Sequence, residues 1–435
     1  MNKLTAGLFS VCVFVLCAQG LVNHAAAAGI VVGDEPLAVQ AGADVLGAGG
    51  TAADAATATY FTLAVTYPVA AGLGGGGICL MRGANQERVE SIDFLPRNVR
   101  SGGPFAVPGN VRGFALLHTL HGKLPWQSLV AKGERLATLG FPMSRALAQR
   151  VADGANIVRL DAGLAKVFMD ESGRMHREGD VLHNIALGES LSLIRTMGPS
   201  ALYGGKLGAS VASYASQQRG VIAPDELANY ASTQAAAQVA AIGGEAVYLP
   251  SARTGSGRLS AQVVRDLSGR DVAGIASPDV TVAVNSALRG FGVSGLPNDL
   301  GATGFAAVDS DGQAVACAVT MSGPFGSGRT VEGTGITLAT APSSSNAGLA
   351  VAFLTPVIAS EGEGGALTMV GAGAGGPDAT AAILYAVAAR AHDETVQGIR
   401  SPDMRHSVNV IGCASNGCAA TPGSAASGMS AVAGQ

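Results

Sequence analysis

The stretch from residue 301 to residue 320 constrains the fold of this chain more than any other, because it predicts a hairpin of two strands that are apolar on both faces. Runs of small and β-branched residues flank Asp309-Ser310-Asp311-Gly312, where Asp caps a tight turn and Gly accepts a positive φ. A strand that is apolar on both faces must be covered on both faces. The segment therefore predicts a β-sheet buried between two layers.

The composition favours a large, densely packed sheet protein. The chain has 435 residues, of which 13% are charged and 62 are glycine, whereas typical domains have about 25% charged residues and about 7% glycine. A net charge of −4 offers no basic surface, so we expect no nucleic-acid partner. Beyond the N-terminus no apolar run reaches the roughly 18 residues that span a bilayer, so we also expect no membrane span.

The first residues predict export. Lys3 precedes an apolar run and then a segment of small residues that ends at Ala28, which is the pattern of a secretory signal peptide over residues 1–28. A buried N-terminal helix is the alternative, but such a helix would need a polar face. We therefore expect a periplasmic or secreted protein.

The cysteines beyond the signal segment differ in their surroundings. Cys413 and Cys418 bracket a short flexible segment, so export leaves both a disulfide and two free thiols open for them. Cys79 and Cys317 lie in apolar strands and are expected to be core residues. Residues 419–435, rich in Ala, Gly and Ser, predict a disordered tail.

Several motifs occur in an order known from one family. They are GGGG at residues 74–77, SIDF at 91–94, VPGNVRG at 107–113, GKLPW at 122–126 and GAGAGG at 371–376. With the hairpin, this order resembles that of the γ-glutamyltranspeptidases, which are N-terminal-nucleophile hydrolases. The resemblance covers most of residues 30–410 and implies an α/β fold, a four-layered αββα sandwich. It also implies that residues 29–301 correspond to the large subunit and 302–418 to the small subunit of one domain.

The family's chemistry depends on a Thr that opens the hairpin. In that family the precursor cuts itself before this Thr, whose hydroxyl becomes the nucleophile and whose α-amine becomes the base. Counted back from Asp309, the matching position is Ala302, and Thr303 follows it. The resemblance implies γ-glutamyl transfer or hydrolysis of glutathione-type substrates without metal or organic cofactor. Ala302 predicts that this activity is impaired.

Two alternatives to the family activity stay open. One is a non-catalytic binding or scaffold protein with a small peptide or amino acid as ligand. The other is an amidase that uses Thr303 after cleavage of the 302–303 bond. Because neighbouring strand residues face opposite sides, Thr303 would serve only if the strand slipped by one residue.

The resemblance supplies the other candidate catalytic residues. Thr320 matches a Thr that lies beside the family's nucleophile. Gly375 and Gly376 match the pair whose backbone amides form the oxyanion hole, or else form only a tight turn before a helix.

The glutamyl-binding positions of the family hold unusual residues in this chain. Leu95 replaces the Arg that grips the α-carboxylate, and Arg97 is the candidate substitute, unless it is an ordinary surface residue. Ser322 replaces an Asn. Ala341 replaces a Gln, and Ser343 and Ser344 replace an Asp pair that binds the α-amino group. These replacements argue against recognition of a zwitterionic glutamyl group.

Two further expectations concern local structure. Residues 258–301 are fewer than the family uses for its helical hairpin and linker, and the Gly- and Ser-punctuated stretches 265–270 and 290–298 predict loops. His118 and His121 share one face of a helix without a third ligand, which predicts a packed or solvated pair instead of a metal site.

Overall fold

The computed structural model of the chain describes residues 29–84, 88–268, 270, 274–293, 295–297, 299–343, 347–391, 405–415, 417–422 and 429–433. The predicted signal peptide lies outside these residues. The strands are β1 (Ile30–Gly33), β2 (Gly76–Arg82), β3 (Val89–Phe94), β4 (Arg97–Asn98), β5 (Ala106–Val107), β6 (Phe141–Pro142), β7 (Val181–Leu182), β8 (Thr233–Ala236), β9 (Gln238–Ile242), β10 (Glu245–Leu249), β11 (Ala302–Val308), β12 (Ala314–Thr320), β13 (Thr330–Val331), β14 (Ile336–Thr337), β15 (Leu354–Glu361), β16 (Leu367–Ala374), β17 (Ser407–Ala414), β18 (Gly417–Pro422) and β19 (Met429–Val432).

The helices make up most of the stretch between residues 110 and 230, and shorter groups of helices precede β2 and β11. They are α1 (Pro36–Gly47), α2 (Ala52–Thr66), α3 (Pro68–Ala71), α4 (Asn110–His121), α5 (Trp126–Leu139), α6 (Arg145–Asp153), α7 (Ala155–Leu160), α8 (Ala162–Phe168), α9 (Ile185–Met197), α10 (Ser200–Tyr203), α11 (Lys206–Gln217), α12 (Pro224–Ala228), α13 (Gly255–Ser268), α14 (Ser277–Gly290), α15 (Ala347–Ala350) and α16 (Pro377–Arg390). Within the residues described, no helix is both long and apolar enough to cross a bilayer.

Two antiparallel sheets form the centre of the molecule. The seven-stranded sheet has the order β19-β1-β11-β12-β2-β3-β8, and the six-stranded sheet has the order β18-β17-β16-β15-β10-β9. Strands β11 and β12 are the predicted hairpin, and every residue of both is buried. The carboxylate of Asp309 accepts the backbone N–H groups of Asp311 and Gln313 and closes the turn. The sequence prediction of a hairpin buried on both faces is confirmed.

The two sheets pack face to face, and helices cover their outer faces. Apolar residues that include Val32, Ala306 and Ile358 fill the space between the sheets. Helices α1, α2 and α4 cover the seven-stranded sheet, and helices α13, α14 and α16 cover the six-stranded sheet. Because the strands are apolar on both faces, each sheet must be covered by the other sheet on one face and by helices on the other. The structure is thus the predicted four-layered αββα sandwich.

Two local expectations were wrong. Residues 265–268, which were predicted to lie in a loop, form the end of α13, a helix that packs against α14. Leu267 is buried there beside Val263 and Val264, so this apolar face keeps the segment helical. The tail is also structured in part: β18 pairs with β17, and β19 pairs with β1 along the sheet edge. Hydrogen bonds to these partner strands order residues whose composition predicted disorder.

Disulfides join both pairs of cysteines. The first bond joins Cys413 to Cys418, one of the two possibilities that the sequence left open. The second joins Cys79 to Cys317, which lie opposite each other on β2 and β12. Cys79 and Cys317 are core residues as expected, but they are bonded to each other. The sequence could not show this pairing because it depends on strand register.

Candidate active site

Ala302 lies at the centre of the candidate site, at the first position of β11. It pairs with Thr320 on β12 and is fully buried. Its methyl group belongs to an apolar cluster whose other members are Ile78, Ala318, Leu354 and Ala374, with Leu95 packed at the edge. The position of the family's nucleophile therefore carries a methyl group among apolar side chains from both sheets.

Thr303 faces away from this cluster. Strand alternation places it with Phe305 and Ala307, which pack on the helix side of the sheet. Its Oγ1 donates a hydrogen bond of 2.7 Å to the carboxylate of Asp34, which also accepts a bond of 2.8 Å from Asn409. The orientation predicted from strand alternation is confirmed. The structure gives the Thr303 hydroxyl a buried structural partner.

The residue before Ala302 is held tightly. The carbonyl of Gly301 accepts hydrogen bonds from the backbone N–H of Met321 at 2.8 Å and from Thr320 Oγ1 at 3.0 Å. Gly301 has φ of 58°, and a Cβ there would lie 1.9 Å from the carbonyl oxygen of Gly323. Only glycine fits such a close approach of two backbones. Two donors thus polarise the carbonyl of the bond that the family would cut.

A buried ion pair anchors the same segment. Arg150 on α6 contacts the carboxylate of Asp299 at 2.8 Å, and this carboxylate also accepts the N–H of Gly301. Burial lowers the pKa of Arg150, but Tyr67, Asp299 and Asp34 outweigh this effect and raise it. The guanidinium is therefore charged. Sequence reasoning missed this pair, because an Arg within an amphipathic helix has no local sign of burial.

The Gly375–Gly376 turn lies beside the apolar cluster. It follows Ala374, which packs with Ala302, and it leads into α16. Gly375 has φ of 104°, and a Cβ on Gly376 would lie 2.9 Å from the ring of His406. The turn thus leads directly from the cluster into α16, and its role as an oxyanion-binding turn stays a prediction.

Thr320 and Ser322 also lie at this end of β12. Thr320 Oγ1 donates to the Gly301 carbonyl and accepts the N–H of Ser322 at 2.8 Å. Ser322 has φ of 60°, an unusual value for a residue other than glycine. Its Oγ is buried and has no hydrogen-bond partner in the part of the chain that the structure describes.

The candidate glutamyl-binding residues are less well placed. Arg97 is exposed, lies over the Tyr230 ring at 4.8 Å and donates to the carbonyl of Ala231 at 2.8 Å. Ser343 is exposed, and its backbone N–H donates to Asn98. Ser344 lies outside the described residues. These contacts give Arg97 partners other than a ligand carboxylate.

The histidine pair predicted to be structural has protein partners. His121 Nε2 lies 2.9 Å from the carboxylate of Glu90, and His118 Nε2 lies 2.8 Å from the carbonyl of Leu124. The two rings thus help to join α4 to its neighbours, as the prediction of a packed pair requires.

Comparison with known proteins agrees with this geometry. The family model described as gamma-glutamyltranspeptidase matches residues 38–285, which is more than half of the chain. The chain belongs to the γ-glutamyltranspeptidase family. The match extends from α1 into α14, so it contains Ile78 and Leu95 of the cluster around Ala302 but ends before Ala302 itself.

Relatives of this family member are similar over part of their length. Glutathione hydrolase 2 of Arabidopsis thaliana is 32% identical over 217 residues, which are 46% of this chain and 37% of the relative. Acylase ACY 1 proenzyme of Pseudomonas sp. strain V22 is 30% identical over 289 residues, 60% of this chain and 52% of the relative. The chain thus spans about a third to a half of the curated relatives that it matches.

Solved structures extend the comparison over nearly the whole chain. The cephalosporin acylase from Bacillus halodurans superposes with a TM-score of 0.73 at 18% identity and covers 93% of this chain and 96% of its own. The γ-glutamyltranspeptidase of Helicobacter pylori gives a TM-score of 0.54 at 24% identity, over 59% of this chain and 80% of its own. At these identities the shared property is the fold, which confirms the N-terminal-nucleophile hydrolase type of sandwich.

Proposed function

We propose that this member of the family neither cuts itself nor turns over γ-glutamyl compounds, and that it acts as an exported, non-catalytic binding protein. The observation that carries the proposal is the methyl group of Ala302 within the apolar cluster around the nucleophile position. Self-cleavage and covalent catalysis both require a hydroxyl at that point. An alanine can supply neither the attacking oxygen nor, without cleavage, a free α-amine.

The hydrogen-bond donors around the missing hydroxyl remain in place. The Gly301 carbonyl still accepts two hydrogen bonds, from Met321 and Thr320. The Gly375–Gly376 turn still lies next to the cluster. Such donors stabilise a negative oxygen as it develops, but they cannot start a reaction without a nucleophile. The chain retains the hydrogen-bond donors and the glycine turn around this position, but it lacks the hydroxyl that would react.

The surroundings of the site also disfavour a glutamyl ligand. Leu95 packs at the edge of the Ala302 cluster, where the family places a carboxylate-binding Arg. Arg97 contacts Tyr230 and Ala231. Burial of an ammonium and a carboxylate without charged partners would cost several kcal/mol, roughly 3 or more. An apolar ligand group suits this lining better than a zwitterion.

An amidase that uses Thr303 is the second candidate. Two curated relatives are named acylase proenzymes, and the apolar lining would suit an acyl group. Thr303 could reach the cluster only if β11 slipped by one residue. Such a slip would break its pairing with both β1 and β12 and would turn Phe305 out of the helix-side core. These costs favour the non-catalytic proposal.

Intact-mass analysis of the exported protein tests the proposal. We expect a single mass, that of one chain uncut at the 301–302 bond. In a separate assay we expect no hydrolysis of a γ-glutamyl anilide. Two fragments that separate at Ala302 would overturn the proposal. A fragment that begins at Thr303, together with hydrolysis of an acyl amide, would establish the second candidate in its place.

A further inference from the structure

Strand β8 is an edge of the seven-stranded sheet. It pairs with β3 on one side and, among the residues that the structure describes, with no strand on the other. The N–H of Ala237 donates to the carbonyl of Val89 at 3.0 Å. Since alternate residues of an antiparallel strand bond to the same neighbour, Gln234 and Ala236 direct their N–H and C=O groups away from β3. Nothing in the described part of the chain bonds to these outward groups.

This edge lacks the residues that usually protect such a strand. Natural sheet edges often carry charged residues or proline, which prevent pairing with another chain. Residues 231–242 contain neither. Thr233, Gln234 and Ala236 are exposed. The outward N–H and C=O dipoles alternate in sign, so they are complementary in charge to the backbone of another extended strand.

A cavity of about 470 Å³ adjoins the same edge. Residues 234–237 line it, together with Val89 of β3 and Tyr248 of β10. Val89 and Tyr248 are each 5% exposed and belong to the apolar layer between the two sheets, against which Ala237 also packs. Sites for small organic groups have volumes of roughly 300–1,000 Å³. The cavity thus leads into the apolar layer and is large enough for a ligand side chain.

The charged residues of the lining do not favour a ligand of either sign. Arg88 and Glu363 are both exposed and have opposite charges. The carboxylate of Glu90 lies 2.9 Å from Nε2 of His121. The buried part of the lining is apolar, and a polar group buried there would need a hydrogen-bond partner. A neutral aliphatic side chain needs none and is therefore the group that suits this cavity.

Strand geometry determines which side chain of an added strand faces the cavity. Two residues of that strand would exchange hydrogen bonds with Gln234 and Ala236, and the residue between them would lie opposite Ala235. Residues that lie opposite each other project from the same face of a sheet. Ala235 shares its face of β8 with Ala237, which packs on the apolar layer. The middle side chain is thus directed towards the cavity.

We propose that the β8 edge binds an extended peptide as an added antiparallel strand, with one aliphatic side chain of the peptide in the cavity. Backbone hydrogen bonds supply the affinity, and the cavity selects the side chain. The β8 strand of a second copy would fit less well, because it offers only Thr233, Ala235 and Ala237 on that face. The inference does not depend on the function of the Ala302 site, since the edge and cavity share no residue with the cluster around Ala302.

NMR titration of the full chain with a capped peptide, acetyl-Thr-Thr-Leu-Thr-Thr-amide, tests the backbone contacts. With the leucine in the cavity, the N–H of the second residue faces β8 and the N–H of the leucine faces solvent. We expect saturable binding that shifts the amide resonances of Gln234 and Ala236. N-methylation of the second residue should weaken binding about tenfold, whereas N-methylation of the leucine should change it less than about twofold. Equal effects of the two methyl groups, or no saturable binding, would overturn the proposal.

Replacement of the central leucine tests the cavity. The alanine peptide should bind about tenfold more weakly, because it leaves the apolar lining uncovered. Lysine and glutamate at the same place should weaken binding at least as much, because the cavity offers neither charge an unmatched partner. Equal binding of the leucine and alanine peptides, or tighter binding of a charged peptide, would contradict an aliphatic occupant.

Variants of β8 assign the binding to this edge. Ala236→Pro removes an outward N–H and leaves the bonds to β3 intact, so it should weaken peptide binding about tenfold. Ala236→Ser keeps the N–H and is the matched control. Equal affinity of the two variants would place the peptide elsewhere and overturn the proposal. So would sedimentation of the natural protein as a dimer that takes no peptide and that Ala236→Pro dissociates, because a second copy would then occupy the edge. The comparison of the methylated peptides on unaltered protein holds even if a variant fails to fold.

Discussion

Arg150 and Asp299 form an ion pair of 2.8 Å in which the Arg side chain is 1% exposed and the Asp side chain is 12% exposed. The pair connects α6 to the segment that leads into β11. Because Asp299 also accepts the N–H of Gly301, its carboxylate fixes the backbone next to Ala302. The position of the 301–302 bond therefore depends on a charge carried by a distant helix.

Replacement of Asp299 should show how much this ion pair contributes to the free energy of unfolding. Asp299→Asn keeps the shape of the side chain but removes the carboxylate that pairs with the buried Arg150 at 2.8 Å, so we expect a loss of about 3 kcal/mol in the free energy of unfolding. Glu178→Gln is the control, since Glu178 pairs with Arg145 at 3.1 Å on the surface and should lose less than about 1 kcal/mol. Urea unfolding measures both. Equal losses would show that the buried pair has no special role.

A hydroxyl at position 302 should restore self-cleavage. In Ala302→Thr the new Oγ1 lies next to the Gly301 carbonyl, which Met321 and Thr320 already polarise. We expect slow formation of two fragments whose second begins at residue 302. Ala302→Val, of the same shape without the oxygen, should stay intact. Intact-mass spectra over several days compare the two, and a folded Ala302→Thr protein that stays whole would count against this role of the carbonyl donors.

Glu35 should make stability depend on pH. Its carboxylate caps α1 and is buried, and burial raises its pKa from the ordinary value of 4.5 to about 7, although bonds from Thr66 and Ala38 oppose this shift. Between these two pH values the unfolded carboxyl has lost its proton while the folded one keeps it. A rise in pH across this interval therefore favours the unfolded state.

Glu35→Gln provides the test of that dependence. The Tm of the natural protein should fall between pH 5 and pH 7 relative to the Tm of the variant, because the amide of the variant has no proton to lose. Parallel curves for the two proteins would mean that Glu35 titrates at its ordinary pKa.

The two disulfides should differ in their resistance to reductants. Cys79 and Cys317 have no exposed surface, whereas Cys418 is exposed at the start of β18. Mild reduction of the folded protein should open the Cys413–Cys418 bond first, because thiol exchange needs access to a sulfur. Alkylation followed by peptide mapping reports the order. Early labelling of Cys79 would contradict the burial of its strand.

Glutathione should not bind at the Ala302 site. With Leu95 and Ala341 in place of polar partners, we expect no saturable heat at concentrations of about 1 mM, which corresponds to a free energy weaker than about −4 kcal/mol. Leu95→Ala should leave the titration flat. Heat that changes with Leu95→Ala would restore a ligand to the Ala302 site.

The sequence predicted the parts of this fold that depend on local pattern. The turn at Asp309, the apolar arms around it and the opposite orientations of Ala302 and Thr303 all follow from composition and strand alternation. Sequence also located the Gly375–Gly376 turn by its resemblance to the family. These features need no knowledge of distant contacts.

Features that arise from long-range contacts could not be predicted. The Cys79–Cys317 bond requires the register of β2 on β12, and the bond between Thr303 and Asp34 joins residues that are 269 positions apart. The end of α13 was missed because the Ser and Gly residues around it usually indicate loops, whereas Leu267 packs into the core. The burial of Arg150 beside Asp299 has no signal in the local sequence, because tertiary packing brings the two residues together.

The strand order has a consequence for the bond that precedes Ala302. In the seven-stranded sheet β1 lies between β19 and β11, and in the six-stranded sheet β10 lies beside β15, so segments from before and after residue 302 are interleaved in both sheets. A break at that bond would leave two polypeptides that cannot part without dismantling the core. Hydrodynamic size and shape would be the same for nicked and intact molecules. Loss of cleavage during evolution would therefore leave the fold unchanged, so selection for folding alone would not act against it.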